Sequence, residues 1–236
     1  MKNIAIIPAR SGSKGLKDKN IKMLEGKPLL WYTIQAAKES GCFDEIMVST
    51  DSEQYADVAR KCGASVPFLR SIARSGDTAG SWDVVKEVLE NYLTEGKVFN
   101  SVCLLQPTSP LRKAKDIIGA YDLLAEKNAD SVTSVCAMDH SPLWAMVLHD
   151  DLALKEFRNN LKSVPRQQLP QYYRLNGAIY IRMIQYHKVG INLLEDKEFA
   201  FVMTRECSVD IDDILDFKYA ELLIENEQMF TGGDAL

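Results

Sequence analysis

No two cysteines of this chain stand in a C-x-x-C pair, and its three histidines, His140, His149 and His187, lack metal-ligand spacing. The five cysteines, Cys42, Cys62, Cys103, Cys136 and Cys207, are scattered and odd in number. That argues against a disulfide framework or a thiolate zinc site and for free thiols in a reducing cytoplasm. Long apolar runs are missing too. None approaches the roughly 18 residues that span a bilayer, so no membrane association is expected. Lys2 is followed by only a short apolar stretch, ended by Arg10, so no secretory leader is expected. An excess of positive charge is also absent. At a net charge of −5 there is no basic face of the kind a nucleic acid needs. The phosphate-binding Gly-Lys-Ser/Thr and the dinucleotide G-x-G-x-x-G patterns do not occur, which disfavours an ordinary ATPase or NAD site.

What is present is ordinary for a globular chain: 236 residues, 46% hydrophobic and 26% charged, enough for one large domain or one domain with an arm. The first half alternates short apolar runs with helical periodicity. Strands are predicted at 4–8, 46–50, 65–69, 101–105 and 131–137. Helices are predicted at 29–38, 53–62, 82–93 and 114–126. Such alternation implies an α/β fold, a mostly parallel sheet with helices on both faces. Ligands of such sheets bind at the carboxyl ends of the strands. The alternation breaks near Met138. Residues 139–175 hold Pro142, Pro165 and Pro170 without a clean period, which reads as an arm packing on a second copy of the chain. Strands are expected again at 178–181 and 199–203, with a closing helix at 214–224. The expected division is a main domain of 1–138 and 176–236, with 139–175 as the arm.

The loop after the first strand carries the clearest chemistry. Between Ala9 and Asn20 it holds Gly12 and Gly15 with Arg10, Lys14, Lys17 and Lys19, against one acid, Asp18. Glycines expose backbone amides to a ligand and the cations neutralise it, a combination suited to a phosphate chain. A solvated surface loop has the same composition, and composition alone leaves both readings open.

Longer motifs decide between them. Ile6-Ile7-Pro8-Ala9-Arg10-Ser11-Gly12-Ser13-Lys14-Gly15 with Lys19-Asn20 opens an ordered set. Val48-Ser49-Thr50-Asp51, then Leu104 through Arg112, then Arg166 through Gln171, follow. Asn176-Gly177-Ala178-Ile179-Tyr180 and Asp210-Ile211-Asp212 close it. This set resembles the acylneuraminate cytidylyltransferases over nearly the whole chain. The resemblance implies a Rossmann-like nucleotidyltransferase with a dimerisation arm, a homodimer that uses CTP and an acidic nine-carbon sugar. It also implies magnesium, or manganese in its place. Arg10, Lys19 and Asp212 would be catalytic. Ala9, Arg10, Ser13, Lys14, Lys19, Asn20, Arg70, Ala79 and Ser81 would bind CTP. Gln106, Arg166, Asn176 and Tyr180 would line the sugar pocket, and Asp210 and Asp212 would hold the metal. The chain departs from the pattern at Trp144, where relatives place a sugar-contacting lysine, and at 192–198, where expected aromatic contacts are missing.

The residues also speak for themselves. Asp210 and Asp212, two apart, would share a face on a strand, and paired carboxylates suit a hard cation. Capping of the last helix is the competing use of this run, and Asp213 is the expected cap. Arg112 reads equally as a helix-entry charge or a ligand. Arg166 suits bidentate binding of a carboxylate, or is a surface charge of the arm. Trp31, Tyr32 and Trp82 sit on helices and are expected in the core.

Overall fold

Ile4-Ala5-Ile6-Ile7 is apolar at four consecutive positions, and a computed structural model shows both faces of that run covered. The structure describes residues 1–12, 15–71, 80–148, 150–154, 166–188 and 190–226. In β1 (Asn3–Pro8), Ile4 and Ile6 join one core with Val85, Val88 and Tyr92 of α3 (Ser81–Thr94). Ala5 and Ile7 point the other way, toward α1 (Leu29–Ser40), α2 (Glu53–Lys61) and α4 (Ala114–Glu126). Burying each isoleucine is worth about 1.5–3 kcal/mol. A strand buried on both faces therefore reads as a continuous apolar run instead of an alternation.

A short hairpin, β2 (Met23–Leu24) and β3 (Lys27–Pro28), leads into α1. The main sheet adds β4 (Glu45–Ser49), β5 (Ser101–Leu104), β6 (Ser131–Ala137), β7 (Tyr173–His187), β8 (Gly190–Leu193) and β9 (Glu198–Met203). Its order is β4-β1-β5-β7-β6-β9, with β8 paired antiparallel to β7. β1 runs parallel to β4 and β5, and β6 parallel to β9, while β7 is antiparallel to both β5 and β6. The carboxyl ends of β1, β4 and β5 and the start of β7 thus meet at one edge.

The helices begin and end where their sequences direct. Pro28 precedes α1, and Gly41, at φ 64°, ends it. Asp213 caps α5 (Ile214–Glu225) as expected, accepting from the Leu215 and Asp216 amides at 2.8 and 3.1 Å.

Three expectations change. The strand predicted at 65–69 is a single parallel bridge, Met47 to Ser65. Ser65 N donates to Ile46 O at 2.8 Å, and two residues on stands Pro67, which has no N–H to continue the ladder. The strand predicted at 178–181 is the middle of a 15-residue strand that begins at Tyr173. β8 carries no prediction at all. Of the predicted arm, residues 149 and 155–165 lie outside the described residues. Two 3-10 turns, Pro142–Trp144 and Arg166–Gln168, are seen within it.

Candidate active site

The loop after β1 is held at both ends. Ala9 N donates to Ser49 O at 2.9 Å, and Asn20 Nδ2 donates to Arg10 O at 3.2 Å. Ser11 donates from its amide and its hydroxyl to the two Asp51 carboxylate oxygens, at 2.8 and 3.1 Å. Asp18 sits in the left-handed region at φ 51° and accepts from Tyr55 at 3.1 Å. Burial, then the Asp18 carboxylate, pushes the Tyr55 hydroxyl well up. The 3-10 turn Lys19–Ile21 buries Lys19 and Asn20. Ser13 and Lys14, expected to touch phosphate, lie outside the described residues.

This loop reaches directly to the acidic run. Lys19 Nζ donates to the Ile211 carbonyl and stands 3.3 Å from Asp212 Oδ1. A Cβ at Gly15 would lie 2.5 Å from the Asp212 carbonyl, so only glycine lets the two backbones come this close. Residues 209–212 form no strand, and the two carboxylates are not equivalent. Ile211 is fully buried and donates to Thr108 O at 2.8 Å. Asp212 is 82% exposed at its side chain, whereas Asp210 turns inward and its Oδ1 is buried with no hydrogen-bond partner among the described residues. Burial pushes the Asp210 carboxyl up and Asp212 adds to this, while a Thr108 hydrogen bond, Lys19 and Arg174 pull it back.

Arg70, expected at the nucleotide, is buried, with Nη2 on Ser49 O at 2.6 Å and Nε on Ser49 Oγ at 3.1 Å. Burial draws its pKa down against the pull of Asp51 and Glu87. Ser81 opens α3 on the same side, and Ala79 lies outside the described residues.

Of the residues expected at the sugar, Asn176 and Tyr180 lie at a break in pairing. Thr133 of β6 faces Tyr180, and Val135 faces Leu175, so four residues of β7 bulge opposite Ser134 alone. Asn176 is buried inside the bulge. Its Oδ1 accepts from Ser134 Oγ at 2.6 Å, and its Nδ2 donates to Ser208 Oγ at 2.8 Å. Gly177, at φ 75°, presses on Gln106 and Asp210. A Cβ there would lie 2.7 Å from Gln106 Oε1 and 3.4 Å from Asp210 Oδ2. Tyr180 is half-buried, and burial, then Asp210, pushes its hydroxyl up. Arg112 is neither a helix-entry charge nor an exposed ligand. It is 2% exposed and donates through Nη1 to Ala178 O at 2.7 Å and Gln106 O at 3.3 Å, tying β7 to the loop after β5. Burial draws its pKa down to about 10. Arg166 opens the second 3-10 turn of the arm.

Gln106, Gly177, Asp210, Asp212, Lys19 and Gly15 therefore form one continuous seam. Among the described residues, no three His, Cys, Asp or Glu side chains cluster as a metal site. The acidic pair stands as two carboxylates, one with an open, buried oxygen. Sequence reasoning gave no role to Asp51, Thr108 or Gly177, though each belongs to a motif that it singled out.

The cytidylyltransferase family profile matches residues 4–233. The chain belongs to this family. A CMP-N,N'-diacetyllegionaminic acid synthase of Legionella pneumophila is 38% identical over 237 residues, covering 97% of this chain and 98% of that protein. An N-acylneuraminate cytidylyltransferase of Streptococcus agalactiae is 39% identical over 219 residues, 92% of this chain and 52% of that protein. The chain thus spans about half the length of the second relative and nearly all of the first. Among solved structures, CMP:2-keto-3-deoxy-manno-octonic acid synthetase complexed with CTP superposes with a TM-score of 0.70 at 14% identity, covering 96% of this chain and all of that one. That likeness is one of fold.

Proposed function

We propose that this protein transfers CMP from CTP to an acidic nine-carbon sugar, with N-acetylneuraminate the first candidate, and releases pyrophosphate. The observation that carries the reading is the seam. The basic loop after β1 closes onto Asp212 through Lys19 and Gly15, and Asp210 on the same run meets Gln106 and Gly177 at the sugar side. Cations suited to a triphosphate, carboxylates suited to a cation and polar groups suited to a second substrate stand along one seam, which supports transfer from a nucleotide to an acceptor. The family membership and the N-acylneuraminate cytidylyltransferase at 39% identity support the same reaction.

In this reading Arg10, Lys14 and Lys19, with the amides around Ser13, hold the triphosphate. Ala9, Asn20, Arg70, Ala79 and Ser81 hold the nucleoside. Gln106, Arg166 and Tyr180 place the sugar, with Asn176 holding the bulge behind them, so that its anomeric hydroxyl attacks the α-phosphorus and pyrophosphate departs. The residues fit a magnesium or manganese ion, because the open Asp210 oxygen and the exposed Asp212 carboxylate are hard acceptors. When bound by Asp210 and Asp212, such an ion supplies charge neutralisation at the phosphates. Lys19 neutralises Asp212 from the other side and keeps it oriented. A homodimer in the cytoplasm is part of the proposal. Leu143, Val147, Leu148 and Leu152 of the arm are exposed, an apolar surface that a second copy would cover.

A legionaminate-type acid is the second reading. It is favoured by the match over nearly the full length of the Legionella relative and by Trp144, which is partly exposed at the end of its 3-10 turn. The test is pyrophosphate release from CTP and magnesium against a panel of nonulosonic and octulosonic acids. Release with N-acetylneuraminate supports the first reading, and preference for the legionaminate acid supports the second. No release with any acid overturns both.

A further inference from the structure

Trp82 is the second residue of α3, directly after Ser81, and its indole leaves the helix toward β7. There it meets the edge of the Tyr180 ring, with centroids 6.4 Å apart and planes at 84°. The Arg182 guanidinium lies over the indole, 4.0 Å from the ring centroid. Arg182 is in turn held by Glu195, Nη2 to Oε2 at 2.5 Å, just beyond β8. Glu195, Arg182, Trp82 and Tyr180 therefore form an ordered stack. It runs from the segment just beyond β8 to a tyrosine whose hydroxyl feels the Asp210 carboxylate. Trp82 packs against the core, and beyond that packing its indole carries a planar cation and an edge contact with a second ring. Tyr180 and Arg182 are two apart on a strand and share its face, so one indole can bridge both.

We infer that Trp82 is a positioning residue, one that sets the Tyr180 ring against the acidic sugar and ties that setting to the first turn of α3. The inference rests on the proposed reaction. A shift of the α3 terminus carries Trp82 with it, and Tyr180 must follow or lose its edge contact. The nucleotide end, where Ser81 stands, and the sugar end are thereby mechanically joined.

The test compares Trp82→Leu, Trp82→Phe and Arg182→Met with the wild-type protein, using CTP, magnesium and whichever acid the wild type accepts. Trp82→Leu is expected to lower kcat/KM for the sugar by about tenfold to a hundredfold and to leave the KM for CTP within about twofold. Trp82→Phe, which keeps an aromatic edge against Tyr180, restores most of the loss. Arg182→Met, which frees the indole, falls between them. The fluorescence of Trp82 in a Trp31→Phe, Trp144→Phe background shifts when the sugar is added to the CTP-loaded protein. If Trp82→Leu lowers the melting temperature while sugar kinetics stay at the wild-type level, or if both KM values rise together in all three variants, the indole is structural and the inference is overturned. A variant too unstable to assay leaves the decision to Trp82→Phe and the fluorescence titration. A wild type that releases no pyrophosphate with any acid overturns the underlying reading, an outcome distinct from active wild type with unaffected variants.

Discussion

The Lys19 ammonium stands 3.3 Å from Asp212 Oδ1 across 193 residues of chain. The pair joins the first loop of the fold to its last. Because the Asp212 side chain is 82% exposed, the ion pair contributes only about 0–1 kcal/mol to stability. Its value lies in charge placement. Lys19→Ala is therefore expected to lower kcat by about 10²–10³, the cost of losing one transition-state donor. The melting temperature should fall by no more than about 2–4 °C, the shift that 1 kcal/mol causes in a chain of this size. Steady-state kinetics and a melting curve check this, and retained turnover would remove Lys19 from the site.

Asp210→Asn and Asp212→Asn should both lose activity by about 10²-fold or more, yet they should part in stability. Asp210 is desolvated, and its Oδ1 has no hydrogen-bond partner among the described residues. A charge held there without a cation costs stability, so in EDTA at neutral pH Asp210→Asn should melt at or above the wild-type temperature. Asp212 faces solvent, and its asparagine variant should stay within about 0.5 kcal/mol of wild type. A lower melting temperature for Asp210→Asn would make that carboxylate a structural element.

Gly177→Ala probes the seam from the sugar side. The residue sits at φ 75°, and an added Cβ would meet Gln106 Oε1 at 2.7 Å. The backbone strain alone costs about 1–2 kcal/mol, and the Gln106 carboxamide has to swing away. The KM for the sugar should rise, while CTP binding by calorimetry stays unchanged. Equal losses for both substrates would show that the bulge supports the whole crevice.

The strand and helix alternation of residues 1–137 was legible because a strand buried on both faces leaves an apolar run, and each helix leaves its own period. Failures came where tertiary contacts outweigh local pattern. Pro67 stops a ladder whose flanking residues look like strand, and β7 extends well past its apolar centre because three strands pair with it. The basic loop could be read as anion-binding, but its partner could not, since Gly15 meets Asp212 only through folding. Asp210 and Asp212 were read as equivalent from their spacing. Residues 209–212 are not a strand, so one carboxylate turns in and the other out. Trp82 was expected in the core and does pack against it, but helical spacing carries no sign of the Arg182 stack.

Asn176 was expected to touch the sugar, and its carboxamide is already occupied. Oδ1 accepts from Ser134 Oγ and the Ala178 amide, and Nδ2 donates to Ser208 Oγ and points at Met203 Sδ. The side chain is 1% exposed. Asn176→Ala takes one hydrogen-bond partner from each of two hydroxyls, Ser134 and Ser208, which keep the Ile179 amide and the Thr204 carbonyl, so the loss is about 0.5–1.5 kcal/mol per bond. The melting temperature should fall by about 2–4 °C for each kcal/mol lost. Ser208→Ala, which removes one arm of the same network, should show a smaller drop of the same kind. Sugar affinity should fall in both, because the network holds the bulge that aims Gly177 at Gln106. If Asn176→Ala abolished sugar binding without lowering the melting temperature, and Ser208→Ala did neither, the carboxamide would have to leave its network and bind the sugar directly.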